Sequence, residues 1–258
     1  MFYVTGDCHS EFLRFNDFNF PEQMEMTKND YVIICGDFGG VWNKNEESDK
    51  EKFKLDLLDS LNFTTLFVCG NHENFDRLNK YPVEMWNGGL VHKIRPSVIH
   101  LMRGQYYNID GTTFFTFGGA SSHDIDDGIL EEDDERIFEW SKNPFKMFRI
   151  NHLSWWKEEL PSKEEMDEGI KNLSKHDFKV DYIITHECAT STLALYSGGK
   201  LKPDYLNDYL EEIRQKTDFK KWIFGHYHDN KNINAKEILI YEQIIPLIDF
   251  GKMYQNAT

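Results

Sequence analysis

Cysteine is scarce in this chain, with four residues in 258. That is too few for a disulfide scaffold, and a chain of this length can bury a real core without one. Basic residues are outnumbered: Lys plus Arg total 29 against 44 Asp plus Glu, a formal net charge of −15. A general nucleic-acid binder needs a basic footprint, and docking on an anionic membrane needs a basic patch, so the charge argues against both. No stretch approaches the roughly 20 apolar residues of a membrane span. The start, Met1 to Thr5, lacks the ordered basic, apolar and cleavage segments of a secretory leader. A cytoplasmic location with reduced cysteines is the expectation. There is no internal repeat and no Pro- or Ser-rich linker. With 40% apolar and 15% aromatic residues the chain is globular rather than disordered. At roughly 150 residues per domain, the length allows one large domain or two small ones.

Short β-branched and aromatic runs recur: Phe2 to Thr5, Tyr31 to Cys35, Thr64 to Cys69, Tyr182 to Thr185 and Trp222 to Phe224. They show little polar alternation, which suits strands buried on both faces. Helical spacing falls between them. Lys50 to Leu61 carries Phe53, Leu57, Leu58 and Leu61, and Tyr205 to Lys216 carries Tyr205, Tyr209, Leu210 and Ile213. The alternation predicts a layered α/β domain. A middle set of strands is expected at Val98 to Leu101, Gln105 to Ile109 and Thr112 to Phe117, with Asp110-Gly111 as a tight turn. A closing set is expected at Glu237 to Tyr241 and Gln243 to Ile248, so two sheets are expected rather than one.

The stretch 121–161 breaks this rhythm. Eight acids and no base occupy Asp124 to Glu135, and Trp140, Phe145, Phe148, Trp155 and Trp156 follow. A solvated acidic loop with an aromatic-anchored helix is the plain reading. The functional reading is an insertion that shapes the entrance of a site.

The chemistry lies where the strands stop. The five runs lead into Gly6-Asp7-Cys8-His9, Gly36-Asp37-Phe38-Gly39-Gly40, Gly70-Asn71-His72-Glu73, His186-Glu187 and Gly225-His226-Tyr227-His228. The C-terminal ends of parallel strands converge on one edge, where ligands bind. Carboxylates, an Asn carbonyl and several imidazoles would then meet. Such mixed N/O donors suit Mn, Fe, Zn or Ni better than Ca or Mg. Seven donors exceed one tetrahedral site and match two open ones.

Gly-Asp-x-His, Gly-Asp-x-x-Gly, Gly-Asn-His-Glu, His and Gly-His-x-His resemble the motifs of the calcineurin-like metallophosphoesterase superfamily. The resemblance implies one domain over 1–258, an α/β/β/α four-layer sandwich with two mixed β-sheets, and 121–161 as an insertion. It implies two metal ions at the strand ends, manganese first, with iron, zinc or nickel as alternatives. One ion would take Asp7, His9, Asp37 and His228. The other would take Asp37, Asn71, His186 and His226. His72 matches the catalytic histidine. The implied reaction is a phosphate-ester hydrolysis in which a hydroxide bridging the ions attacks phosphorus in line.

The first motif is similar to the start of the Ser/Thr protein phosphatases and bacterial dinucleoside tetraphosphatases. Those phosphatases carry an Asp-Arg-Gly soon after the second motif, and none follows Asp37 here. Arg77 or Arg14 could take over the grip on phosphate. Phe117-Gly-Gly-Ala-Ser-Ser-His-Asp124 resembles a segment of uncharacterised bacterial and phage metallophosphoesterases, and makes Ser122 and His123 candidate substrate contacts. A small phosphorylated compound or a phosphoprotein is the expected substrate. A cyclic-nucleotide or nucleic-acid diesterase is the alternative enzyme, and a catalytically silent scaffold the non-enzyme alternative. His92, His100, His152 and His176 lack motif neighbours and read as structural. Cys8 and Cys188 lie near the motifs, where sensitivity to oxidation is the expected consequence.

Overall fold

Runs of β-branched and aromatic residues form the strands, and capped polar segments between them form the helices. The computed structural model describes residues 1–247. The chain begins with β1 (Phe2–Thr5), β2 (Tyr31–Ile34), α1 (Asp49–Ser60), β3 (Thr64–Phe67) and α2 (Phe75–Leu78). Next come β4 (Val83–Trp86), β5 (Gly89–Arg95), β6 (Val98–Leu101), β7 (Gln105–Ile109) and β8 (Thr112–Phe117). Then follow β9 (Gly128–Leu130), α3 (Arg136–Trp140), β10 (Phe148–Ile150) and α4 (Lys163–Ser174). The last are β11 (Lys179–Thr185), α5 (Thr190–Ser197), α6 (Tyr205–Lys216), β12 (Asp218–Phe224), β13 (Lys231–Asn232), β14 (Glu237–Leu239) and β15 (Ile245–Pro246).

Two large mixed sheets result. The first runs β15-β1-β2-β3-β6-β5-β4 and the second β13-β14-β12-β11-β8-β7. Strands β1, β2, β3 and β6 are mutually parallel, as are β8, β11, β12 and β14. The five motif-bearing strands therefore end at the same edge of their sheets.

The expected middle set divides between the sheets. β6 pairs with β3, whereas β7 and β8 form a hairpin that pairs with β11. Its turn, Asp110-Gly111, has the two positive φ angles the dipeptide predicts, 52° and 82°. The closing set divides too, because β14 joins β12 while β15 pairs with β1. The strand expected from Gln243 shortens to Ile245–Pro246, and Ile248 lies outside the described residues.

β2 illustrates the layering. Val32 and Ile34 face Leu55 and Leu58 of α1, while Ile33 and Cys35 face Ile184 and Ile223 of the second sheet. On the far side, Trp222 and Phe224 pack against Leu206, Leu210 and Ile213 of α6, with Leu173 of α4 and Leu193 of α5. The order of layers is helix, sheet, sheet, helix. Among the described residues no helix is long and apolar enough to cross a membrane.

Segment 121–161 adds no strand to either large sheet, although its Trp156 is buried in the core of the first. β9 and β10 pair in parallel as a small sheet of their own. Four of the eight acids of the segment's acidic run are paired: Asp124 with Arg149, Asp127 with Lys146, Asp134 with Arg136 and Glu132 with Lys44. The loop is nonetheless solvated, with Asp126, Glu131, Glu132, Asp133 and Glu135 exposed, and the helix that follows it ends at Trp140.

Helix α1 turns inward only part of the face its spacing predicts: Leu58 and Leu61 pack on the core, while Phe53 and Leu57 do not. Ser48 and Glu51 form a capping box at its start. The same Glu51 accepts from the Trp42 and Asn43 backbone N–H groups and from the Arg77 guanidinium. Those bonds fix the stripe Glu51, Leu55, Leu58 toward the sheet, and Phe53 is left 69% exposed. Leu55→Ala should therefore cost about 2–5 kcal/mol. Phe53→Ala should stay within about 0.5 kcal/mol, as surface changes do. Chemical denaturation of the two variants checks this, and equal losses would reverse the assignment of faces.

Candidate metal centre

Each motif residue sits at the end of a strand whose hydrophobic register is fixed by the sheets, so the turns after the strands are forced together. Their backbones are unusual. His9, Asp37, His226 and His228 all have positive φ, between 44° and 72°. Non-glycine residues in this region cost about 1–3 kcal/mol each and cluster at functional sites. Gly70 is required for a different reason: a Cβ there would lie 1.9 Å from Asp37 Oδ1.

Asp37 is the centre of the arrangement. Its carbonyl accepts from the Cys8 and His9 N–H groups at 3.0 and 2.7 Å. Its Oδ1 accepts from the His72 N–H at 2.8 Å. Asp7 is held likewise, with Oδ1 accepting from the His226 N–H at 3.0 Å. The two Asp37 oxygens face two donor sets. Oδ2 lies 3.7 Å from His9 Nε2, and Oδ1 lies 3.3 Å from His186 Nε2.

On the Oδ2 side, Asp7, His9, Asp37 and His228 bring one donor atom each to within 4.8 Å of one another. His9 Nε2 and His228 Nε2 are 3.0 Å apart. The buried Oδ2 of Asp7 accepts no hydrogen bond, although His228 Nε2 stands 3.1 Å away. An orphaned buried carboxylate oxygen among converging imidazoles is the donor set a transition-metal ion completes. On the Oδ1 side, His186 Nε2 is 3.2 Å from Asn71 Oδ1, and its Nδ1 is 2.8 Å from the Cys35 carbonyl. The bond at Nδ1 leaves Nε2 as the ring's coordinating atom, a common support for metal-binding histidine. The His226 ring lies 5.0 Å from that of His186. The residues present fit two ions that share Asp37.

The electrostatics agree with a demand for cations. Burial alone would raise the pKa of Asp37, but the His186 ring overcomes this and holds it well below the ordinary value. Burial would lower the pKa of His186, yet Asp37 and Asp7 outweigh burial and raise it. Buried Glu73 accepts from the Phe38 and Gly39 N–H groups and so secures the loop after Asp37. Burial, with the Asp37 charge, pushes its pKa up to about 8.

His72 lies at the mouth, its ring 5.1 Å from that of His9 and 6.2 Å from Trp42. His123 also reaches the centre, with Nε2 2.8 Å from His226 Nε2. Ser122 reaches Asn71 instead of open space: its Oγ accepts from Asn71 Nδ2 at 3.3 Å. Arg77 is not brought to the site. The single turn of α2 aims its guanidinium at Glu51 and at the Asn43 carbonyl, where it is buried. Arg14 is likewise committed, to the Asp7 and Tyr241 carbonyls behind β1.

The four histidines without motif neighbours lie outside the cluster: His92 meets His100, His152 meets Asp76, and His176 stacks on Tyr106. All four cysteines are buried and free. Burial pushes the Cys8 thiol up to about 12 and that of Cys188 well above its ordinary value. Thiolate is the reactive form, so the expected sensitivity to oxidation has no support. Two residues of segment 121–161 that the motifs do not point to, Glu159 and Arg149, reach the site's surroundings through Ser122 and Asp124. Neither belongs to a motif or to an apolar period.

A family model described as calcineurin-like phosphoesterase matches residues 1–230. No curated protein matches the chain.

If Asp37 spans two ions, Asp37→Asn should release both together. Elemental analysis is expected to find two metals per wild-type chain and fewer than one in the variant, and two in the variant would refute the shared carboxylate.

Proposed function

This chain belongs to the calcineurin-like phosphoesterase family, and from that premise we propose that it hydrolyses small phosphate monoesters at a two-metal centre divided by Asp37. The observation that carries the reading is the pair of donor sets on the two oxygens of that carboxylate. Asp7, His9, Asp37 and His228 would hold one ion, and Asp37, Asn71, His186 and His226 the other. Manganese suits this mixture of imidazole, carboxylate and amide oxygen, with iron, zinc and nickel as alternatives. When bound, the ions supply Lewis acidity and lower the pKa of the attacking water.

The protein's own groups supply the rest. His72 stands beside His9 at the mouth. Burial lowers its pKa, so at neutral pH the ring acts as a neutral N–H donor to the leaving oxygen. A cavity of about 350 Å³ opens beside His9 and His72, with Trp42, Asn43, Lys50 and Lys54 on its walls. That is the low end of small-molecule pockets and supports a compact leaving group over a polymer strand. Arg149 is the arginine offered to phosphate in place of Arg77: it too holds a carboxylate, but its side chain is 23% exposed where that of Arg77 is 7%. It forks onto Asp124, next to His123, and its charge lowers the pKa of His72.

With added Mn²⁺, p-nitrophenyl phosphate should be cleaved faster than bis-p-nitrophenyl phosphate; preference for the diester would overturn the monoester reading. His72→Ala should keep its metals but lose at least about 10²-fold in kcat. Full activity in that variant would remove His72 from the mechanism. Arg149→Ala should raise KM for p-nitrophenyl phosphate several-fold, and an unchanged KM would exclude it as the phosphate contact.

A further inference from the structure

Asn71 is useful to a metal only through its carbonyl oxygen. An amide whose NH₂ end faces the ion offers no lone pair. Something in the fold must set which end faces inward, and the structure shows a chain of buried groups that can do it. Asn71 Nδ2 donates to Ser122 Oγ at 3.3 Å. Ser122 Oγ donates to Glu159 Oε2 at 2.6 Å, and the Ser122 N–H donates to Glu159 Oε1 at 2.9 Å. Asn71, Ser122 and Glu159 are 5%, 7% and 2% exposed.

The direction of these bonds follows from what each group can do. Both oxygens of Glu159 accept from Ser122, one from its N–H and one from its hydroxyl, so the hydroxyl proton is committed there and the oxygen's lone pairs are left for an N–H donor. Asn71 must then present its NH₂ end to Ser122, and its carbonyl end points to His186 Nε2 at 3.2 Å. The far end of the chain is anchored as well. Buried Arg103 donates to the Glu158, Glu159 and Gly118 carbonyls at 2.7, 3.1 and 2.9 Å. That ties the end of the insertion to the turn that carries Ser122. Gly119, with φ of 102°, permits the approach, because a Cβ there would lie 2.4 Å from the Glu159 carbonyl oxygen.

We propose that Ser122 and Glu159 are positioning residues that orient the Asn71 amide, so that the insertion selectively sets the affinity of the second metal site. The proposal rests on the reading of Asn71 as a ligand of that site. It separates Ser122 from substrate contact, because the hydroxyl is committed on both sides.

The test is Mn²⁺ binding to the full chain, followed by isothermal titration and by elemental analysis after dialysis, with melting curves to verify the fold. Wild type should bind two ions. In Ser122→Ala one ion should bind as in wild type and the other 10–100-fold more weakly, the range for loss of an outer-shell partner, about 10–100-fold. Glu159→Gln keeps the shape but adds a donor, which either opposes the Ser122 N–H or forces its hydroxyl to turn toward Asn71. The same single site should weaken. Two ions at wild-type affinity in both variants would overturn the proposal, as would equal weakening of both ions, which is the mark of general destabilisation. A wild-type chain that binds fewer than two ions would instead sink the two-metal reading, and this proposal with it.

Discussion

One buried carboxylate organises this protein. Asp37 follows β2 with a left-handed backbone, and the turns after the two neighbouring strands, β1 and β3, are attached to it. Its carbonyl takes the N–H groups of Cys8 and His9, and its Oδ1 takes that of His72. β1, β2 and β3 are parallel neighbours, so their turns would lie close in any case. The bonds to Asp37 convert that proximity into a fixed spacing. His186 and the Gly-His-x-His turn arrive from the second sheet. The centre therefore spans both sheets, and the packing between them, through Ile33, Cys35, Ile184 and Ile223, sets its width.

Charge has to be read locally in this chain. A net charge of −15 says little about the centre, where buried Asp7 and Asp37 create a demand for cations that His186 partly meets. Two bound ions would make the same place attractive to phosphate. The acidic insertion is also less repulsive than its composition implies. Asp124, Asp127 and Asp134 carry Arg149, Lys146 and Arg136 close by. These bases follow the acids in sequence, so a window drawn around the acidic run alone misses them.

What was legible in the sequence was local. A hydrophobic run that stops at glycine and passes into Asp, Asn or His fixes a strand, its end and the donor that follows, and all five runs lie where their residues indicate. Matters that depend on a distant partner were not legible. Spacing chose Phe53, Leu57, Leu58 and Leu61 for the inner face of α1; Leu58 and Leu61 do pack inward, but bonds from Glu51 to Arg77 and the Trp42 loop bring Leu55 in and leave Phe53 and Leu57 exposed. The same bonds remove Arg77 from the site, although it lies only five residues after His72. The middle strands read as one set because they are consecutive, whereas the chain changes sheet between β6 and β7. Ser122 was legible as a site residue but its partner was not, since Glu159 lies 37 residues further on.

The order of these parts bears on how the centre forms. In small metal-dependent domains the ion supplies the folding energy, and the ligands are unplaced without it. Here the candidate ligands are held by bonds within the protein. Backbone N–H groups hold Asp7 and Asp37, the Cys35 carbonyl orients His186, and Ser122 orients Asn71. Four residues of the site adopt left-handed backbone at about 1–3 kcal/mol each. Such strain persists only where the surroundings over-determine it, and two packed sheets with helices on both outer faces do so. The strain and the hydrogen bonds are therefore one arrangement: relieving the backbone at His9, Asp37, His226 or His228 would move the donor atoms those turns carry.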